Sequence, residues 1–193
     1  MGDVKQVERK AQILQAALAL FAERGYYGTS MADIAASIDM RASSLYNHYS
    51  SKHELLATIM THSQMDLLAA HGAALAGKAT PTQQLAASMD CHLTFHAQRQ
   101  QEVLVANREV KMLQDPERTM LTQLRRDYVS RWVNILERGN AAGEFTCEKP
   151  RLTAYALIDM GIGVAIWYRA DGEYSLEEMI AHYQDMALRT VGA

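Results

Sequence analysis

The stretch "MADIAASIDMRASSLYNHYSSKHELL", residues 31–56, decides the fold. Met31, Ile34, Ala35 and Ile38 share one helical face, and Thr29 or Ser30 caps them, with Asp33 completing a capping-box-like pair with Ser30. A tight turn at Asp39-Met40 leads into a second short helix, at about 42–49, that turns Leu45 and Tyr49 inward. Ser51-x-x-Glu54 is a capping box that opens a longer helix to about residue 70. Upstream, Ile13, Ala17, Leu20 and Phe21 form the stripe of a helix over about 7–24, which Gly25 stops. Two short helices joined by a tight turn behind a longer one describe a helix-turn-helix unit.

Such a unit places its second short helix in the DNA major groove. Arg41, Ala42, Ser43, Ser44, Tyr46, Asn47 and His48 are left on or near the outward surface. Small residues at 42–44 let the backbone come close, and serine hydroxyls serve almost any base edge. Lys52 stands in the first turn of the following helix, and Thr29 and Ser30 at the start of the earlier one. Free N–H groups and the helix dipole favour phosphate at both places. Residues 1–52 carry six Lys/Arg against five acids, so binding leans on helix N-termini and hydroxyls as well as on cations.

The remainder reads as helical too, with segments at about 81–99, 101–113, 116–141, 150–169 and 176–190. Thr80-Pro81-Thr82-Gln83 and Ser175-x-x-Glu178 are start signals, and Asp115-Pro116 is another. Alternating β-branched runs flanked by Gly turns are scarce, and His71 to Ala79 is the expected break between two regions. The 193 residues are 49% hydrophobic with a formal net charge of -3, which suits a water-soluble globular chain and leaves room for a local DNA-binding face. Cys91 and Cys147 are too far apart for a C-x-x-C motif and suit a reducing compartment. The N-terminus lacks a signal-peptide core, and the longest apolar run, Ala154 to Tyr168, falls short of a membrane span. A cytoplasmic protein is expected, with no membrane partner. Catalytic motifs such as H-E-x-x-H, G-x-S-x-G or a phosphate loop are missing, so no enzyme activity and no cofactor are expected.

"ILQAALALFAERGYYGTSMADIAASIDMRASSLYNHYSSKHELL" resembles the N-terminal DNA-binding domain of the TetR family of repressors. The shared elements are the Ala-Leu-x-Leu-Phe stripe, Gly-Tyr-x-x-Thr-Ser, Ile-Ala, Leu-Tyr-x-His-Tyr and Ser-Lys-x-x-Leu-Leu. The turn departs from the family in carrying Asp39 where glycine is usual, and Arg41 where a small cap is usual. Asp tolerates left-handed backbone better than most residues, so the turn is expected to survive. The resemblance implies an all-α chain with a three-helix DNA-binding domain, 1–51, followed by a helical ligand-binding and dimerisation domain, 52–193. It also implies a homodimer that binds a palindromic double-stranded operator and is released by a small-molecule effector.

The apolar character of 150–169 all round, with Gly161 and Gly163, and the amphipathic 176–190 point to a four-helix interface between two copies. Polar and aromatic residues interrupt apolar faces in the middle helices. His92, Phe95, His96 and Arg99 lie on one, Arg108 and Met112 on the next, and Arg125, Tyr128 and Trp132 on a third, with Gly163 and Trp167 further on. An apolar tunnel with arginines near its mouth suits an amphipathic anion. "NREVKMLQDPER", "NILERGNAAGEF" and "GIGVAIWYRADGEYSLEEM" resemble the TetR branch that senses acyl-CoA thioesters, and this points to Arg108 and Arg125 as phosphate or thioester partners. Two alternatives stand beside it. One is a sensor of cationic or hydrophobic drugs that controls an efflux pump, for which Asp159 and Glu109 are the only candidate counter-ions. The other is a metal-responsive regulator acting through Cys91, His92 and His96, although 91 and 92 point about 100° apart on a helix and no carboxylate joins them.

Overall fold

The computed structural model describes residues 2–193, and among these all regular secondary structure is helical. The helices are α1 (Gly2–Arg24), α2 (Met31–Ser37), α3 (Ala42–Tyr46), α4 (Lys52–Leu75), α5 (Pro81–Gln98), α6 (Gln100–Arg108), α7 (Glu117–Ala141), α8 (Pro150–Trp167) and α9 (Leu176–Val191), with a 3-10 turn at Val110–Met112. No helix among the described residues is long and apolar enough to cross a membrane.

The chain divides into two units. The first comprises the residues up to Ser63 with Gln101–Leu121, and the second Gln64–Gln100 with Thr122–Ala193. This differs from a boundary at 51/52. Val105, Leu113 and Leu121 are buried in the same core as Ile13, Phe21, Ile34, Leu45 and Leu56, so α6 and the start of α7 complete the first unit.

Local chemistry sets the ends of these elements. Gly25, at φ +74, terminates α1 with its N–H on Phe21 O, 3.0 Å away. Ser30 Oγ accepts from Asp33 N at 3.1 Å while Asp33 Oδ2 accepts from Ser30 N at 2.8 Å, the expected reciprocal cap. Asp39 takes the left-handed position at φ 52, which lets Met40 N reach Ala35 O at 2.9 Å and turns the chain into α3.

Four expectations are corrected. α3 closes at Tyr46 instead of 49, because Asn47 and His48 N–H groups bond three residues back, to Ser44 O and Leu45 O. At α4, Ser51 Oγ caps Glu54 N at 3.1 Å, but the Glu54 carboxylate returns to Ser50 instead, accepting its N–H at 2.7 Å and its hydroxyl at 2.8 Å. The break expected from His71 is confined to the stretch after Leu75, since His71 is buried and anchored within α4. The segment 101–113 is likewise divided into α6 and the 3-10 turn.

The second unit is built around Trp132, Leu85, Met89, Leu93, Leu136, Leu157 and Val164, all buried. α5 starts where expected, with Thr80 and Gln83 capping each other and Pro81 in the first turn. α9 starts on the Ser175–Glu178 box.

The left-handed Asp39 gives a direct check. Asp39→Val should lower the unfolding free energy by about 1–2 kcal/mol, because a β-branched side chain resists that geometry. Asp39→Gly should be neutral or slightly stabilising. Urea unfolding of both variants measures this, and equal losses in the two would refute the strain argument.

Candidate functional site

The outer face of α3 takes shape from the two anchors beneath it. Leu45 is fully buried and Tyr49 nearly so, which leaves Arg41, Ser43, Tyr46 and Asn47 exposed and Ala42, Ser44 and His48 half-buried. Tyr27 is 81% exposed on the loop before α2 and stands with Tyr46 at the rim of a hollow of about 650 Å3. Gly28, Ser30, Asp33, Ser50, Ser51 and Lys52 also line that hollow. Small residues, hydroxyls and amides therefore occupy the face expected to read DNA.

The flanking groups are placed differently from expectation. Thr29 is buried, and its hydroxyl turns inward to Leu20 O (3.2 Å) and Gly25 O (3.0 Å), closing the end of α1. The Ser30 hydroxyl and N–H hold the Asp33 carboxyl below its usual range, so the α2 N-terminus already carries an anion of its own. Lys52 Nζ donates to Tyr26 O at 2.9 Å and Thr29 O at 3.0 Å, and lies 4.3 Å from the centroid of the Tyr26 ring. An ammonium has three N–H donors. Two carbonyls and a ring face take them all up, which makes Lys52 a clamp on the loop before α2.

Arg108 and Met112, expected beside the ligand, belong to this first unit. The Arg108 guanidinium reaches Phe21 O and Ala22 O at the end of α1, and its Nε donates to Glu109 Oε1 at 2.8 Å. Glu109, buried, also accepts the Tyr26 N–H at 3.3 Å. Met112 packs against the first core.

In the second unit, α4, α5 and α7 bring His71, Ser88, His92, His96, Tyr128 and Trp132 together, all buried. His92 Nε2 sits 3.0 Å from Ile158 O, a pure acceptor, so this nitrogen carries the proton and Nδ1 accepts from the Tyr128 hydroxyl at 2.9 Å. His96 Nδ1 donates to His92 O at 2.7 Å. The His92 and His96 rings lie 4.0 Å apart, and His92 faces Tyr128 and Trp132 at 5.8 and 5.7 Å. Gly161 on α8 makes this possible, because a Cβ there would lie 2.1 Å from His92 Cδ2.

Burial depresses all three imidazoles. His71 falls to about 4, with Arg131 adding to the effect, and His96 falls to about 4. His92 is held well below the ordinary value by burial and then by His96. Burial raises the Tyr128 hydroxyl. The result is a neutral hydrogen-bonding core with no carboxylate in it.

Of the other expected ligand residues, Phe95 and Arg99 line a groove of about 770 Å3 between α4 and α5, with Cys91 on the same wall. The Arg99 guanidinium stacks 4.8 Å from the Phe95 ring and pairs with Asp66 at 2.7 Å. Arg125 is half-buried on α7, and burial lowers its pKa. Gly163 faces open space, and Trp167 is 48% exposed. The metal alternative loses its donors. Both His92 nitrogens are engaged, Cys91 turns to the groove, and the described residues contain no group of three His, Cys, Asp or Glu able to hold an ion. Sequence reasoning missed His71 and Ser88. The spacing Ser88-x-x-x-His92-x-x-x-His96 puts a polar stripe on α5 and was the available signal for Ser88.

Comparison with known proteins fits this arrangement. Residues 13–59 match the family of bacterial regulatory proteins, tetR family, and residues 78–191 the tetracyclin repressor-like C-terminal domain. The chain is 28% identical over 186 residues to the HTH-type transcriptional repressor KstR2 of Rhodococcus jostii, covering 93% of this chain and 89% of that one. A tetR-family regulatory protein from Rhodococcus RHA1 superimposes with a TM-score of 0.90 at 30% identity, over 95% and 97% of the two chains. AibR, solved in complex with isovaleryl coenzyme A and operator DNA, gives 0.84 at 25% identity, over 92% and 97%.

Two outcomes follow for the buried core. Above about pH 6.5 the imidazoles are neutral in both folded and unfolded chains. Below that, the unfolded chain takes up protons that folded His71 and His96 refuse until about pH 4, so stability falls through this window and then levels. Each group accounts for on the order of 3 kcal/mol. His96→Gln should therefore lose less stability than the wild type between pH 7 and pH 5 in urea titrations, and equal losses would contradict the assignment. Separately, Gly161→Ala should cost about 1–3 kcal/mol by overpacking against His92. Gly163→Ala, with open space beside it, should leave protomer stability unchanged or raised in thermal melts.

Proposed function

The chain belongs to the TetR family of bacterial regulatory proteins, and from that premise we propose that it is a homodimeric, cytoplasmic repressor released from its operator by an acyl-CoA thioester. One observation carries the effector assignment. The middle of the second unit is a neutral, aromatic, hydrogen-bonding core without a carboxylate, which suits an uncharged acyl chain and offers no counter-ion to a cation. The likeness to AibR, crystallised with isovaleryl coenzyme A and DNA, and to the KstR2 repressor supports the same reading.

Dimerisation is assigned to α8 and α9. Leu152, Tyr155, Ile166 and Trp167 are exposed along α8 and Met186 along α9, an apolar surface suited to a second copy. The open side of Gly163 lets another backbone approach. Two reading helices about 34–36 Å apart then require a palindromic operator.

On each protomer Arg41, Ser43, Ser44, Tyr46, Asn47 and His48 face the groove, with Ala42 allowing close approach. Ser30 flanks them, while Thr29 and Lys52 hold the loop that presents them. α4 supplies residues to both units and carries the signal, because a ligand that favours one placement of this helix favours one spacing of the reading helices. The drug-sensor alternative is disfavoured by its own counter-ions. Glu109 is engaged by Arg108 and the Tyr26 N–H, and Asp159 is exposed.

Fluorescence anisotropy on DNA from the region upstream of the protein's own coding sequence tests this reading. Acyl-CoA thioesters should release the DNA, while free acids and a cationic dye should not. Release by the dye alone would move the protein to the drug-sensing class. On the same DNA, Tyr46→Ala should weaken binding without loss of stability. Lys52→Met should weaken binding and destabilise the fold while leaving the salt dependence unchanged. A slope lowered by about one unit would instead make Lys52 a direct phosphate contact.

A further inference from the structure

The loop between α1 and α2 is bonded on both sides of Tyr27. The Glu109 carboxylate accepts the Tyr26 N–H at 3.3 Å, Lys52 donates to Tyr26 O and Thr29 O, and the Thr29 hydroxyl donates to Gly25 O at 3.0 Å. Gly28 seats the loop on the end of α1, where a Cβ would lie 2.4 Å from Arg24 O. What this frame carries outward is the exposed Tyr27, whose ring leans edge-on against Tyr26 with centroids 5.7 Å apart and planes at 73°.

Tyr27 lines the 650 Å3 hollow beside α3, together with Tyr46 and with Ser51 at the start of α4. The other polar side chains there are already used. Lys52 donates to two carbonyls, the Ser30 hydroxyl donates to Asp33, and the Ser50 hydroxyl donates to Glu54. Ser51 Oγ accepts from Glu54 N and keeps its own proton. Among the described residues, the side-chain donors left to the hollow are therefore the hydroxyls of Tyr27, Tyr46 and Ser51.

Such a set serves an acceptor with several oxygens. The Asp33 carboxylate on the same wall removes any net attraction for a free anion. A phosphate delivered by the rest of a duplex needs none. The hollow flanks the helix that is proposed to enter the major groove, and groups on the flanks of such a helix meet the sugar-phosphate backbone.

We propose that Tyr27 is a further DNA contact, its hydroxyl donating to a backbone phosphate at the edge of each half-site. The inference rests on the DNA-reading role of α3 and extends it to the loop before α2. The clamp on that loop then has a purpose, because a tyrosine presented on a fixed frame loses little freedom when it binds. The contact is neutral, so it adds nothing to the salt dependence.

Fluorescence anisotropy with the full-length dimer and DNA from the region upstream of its own coding sequence tests the contact. Tyr27→Phe, which removes one oxygen and keeps the ring, should weaken binding by at least about fivefold over the two half-sites. The salt slope and the melting temperature should not move. Replacing single phosphates of the same duplex with neutral methylphosphonates locates the contact. At one symmetry-related pair of positions the wild type should lose affinity and Tyr27→Phe should lose none. Binding by Tyr27→Phe equal to the wild type, or identical losses in both proteins at every position, would overturn the contact. Tyr46→Ala separates this from the reading beneath it. If Tyr46→Ala still weakens binding, the role of α3 stands without Tyr27, and if neither substitution matters, the placement of α3 falls and the contact with it.

Discussion

The second unit depends on one imidazole. His92 is fully buried and keeps both nitrogens occupied, one by Ile158 O on α8 and the other by the Tyr128 hydroxyl on α7, so a single side chain of α5 fixes three helices in register. Filling both positions matters in a buried group of this kind, because leaving one open costs about 1–3 kcal/mol. The requirement propagates outward. α8 must present a carbonyl at Ile158 and nothing larger than hydrogen at Gly161, and that accounts for a glycine in the middle of a helix, where it would otherwise be unfavourable by about 1 kcal/mol.

The first unit uses charge in a similar, internal way. Lys52, Arg108 and Glu109 are all committed to the loop between α1 and α2 and to the end of α1. Backbone carbonyls left over at the end of a helix and in a tight loop need donors, and a lysine and an arginine supply them. The outer face of α3, proposed above to read DNA, keeps Arg41 with hydroxyls, an amide and an aromatic edge. The net charge of the chain is -3, so a cationic surface is not what distinguishes this face.

Most of the fold was legible because its signals are local. Capping residues at Ser30, Thr80 and Ser175, the glycine after α1 and the apolar stripes gave helix positions to within a few residues. Asp39 was readable as a left-handed turn residue from its chemistry alone. What failed was non-local. Nothing near Arg108 in sequence says that its partners are Phe21 O and Ala22 O, and nothing near Lys52 reveals that Tyr26 O and Thr29 O lie within reach. His71 sat beside a glycine in a stretch that reads as a helix end, and only the partner at Ser88 shows why the helix continues. The polar residues of α5 and α7 were legible as a set, but their inward orientation and neutral state depend on burial by helices distant in sequence.

In the proposed function, ligand binding and DNA binding are linked through one protein. Linkage is reciprocal for equilibrium affinities. The most direct test is to measure the affinity of an operator-releasing thioester for the dimer twice, once free and once saturated with operator DNA. DNA should weaken the thioester by the same factor by which the thioester weakens DNA, roughly 5- to 150-fold for ordinary coupling. A thioester affinity that is identical with and without DNA would contradict it.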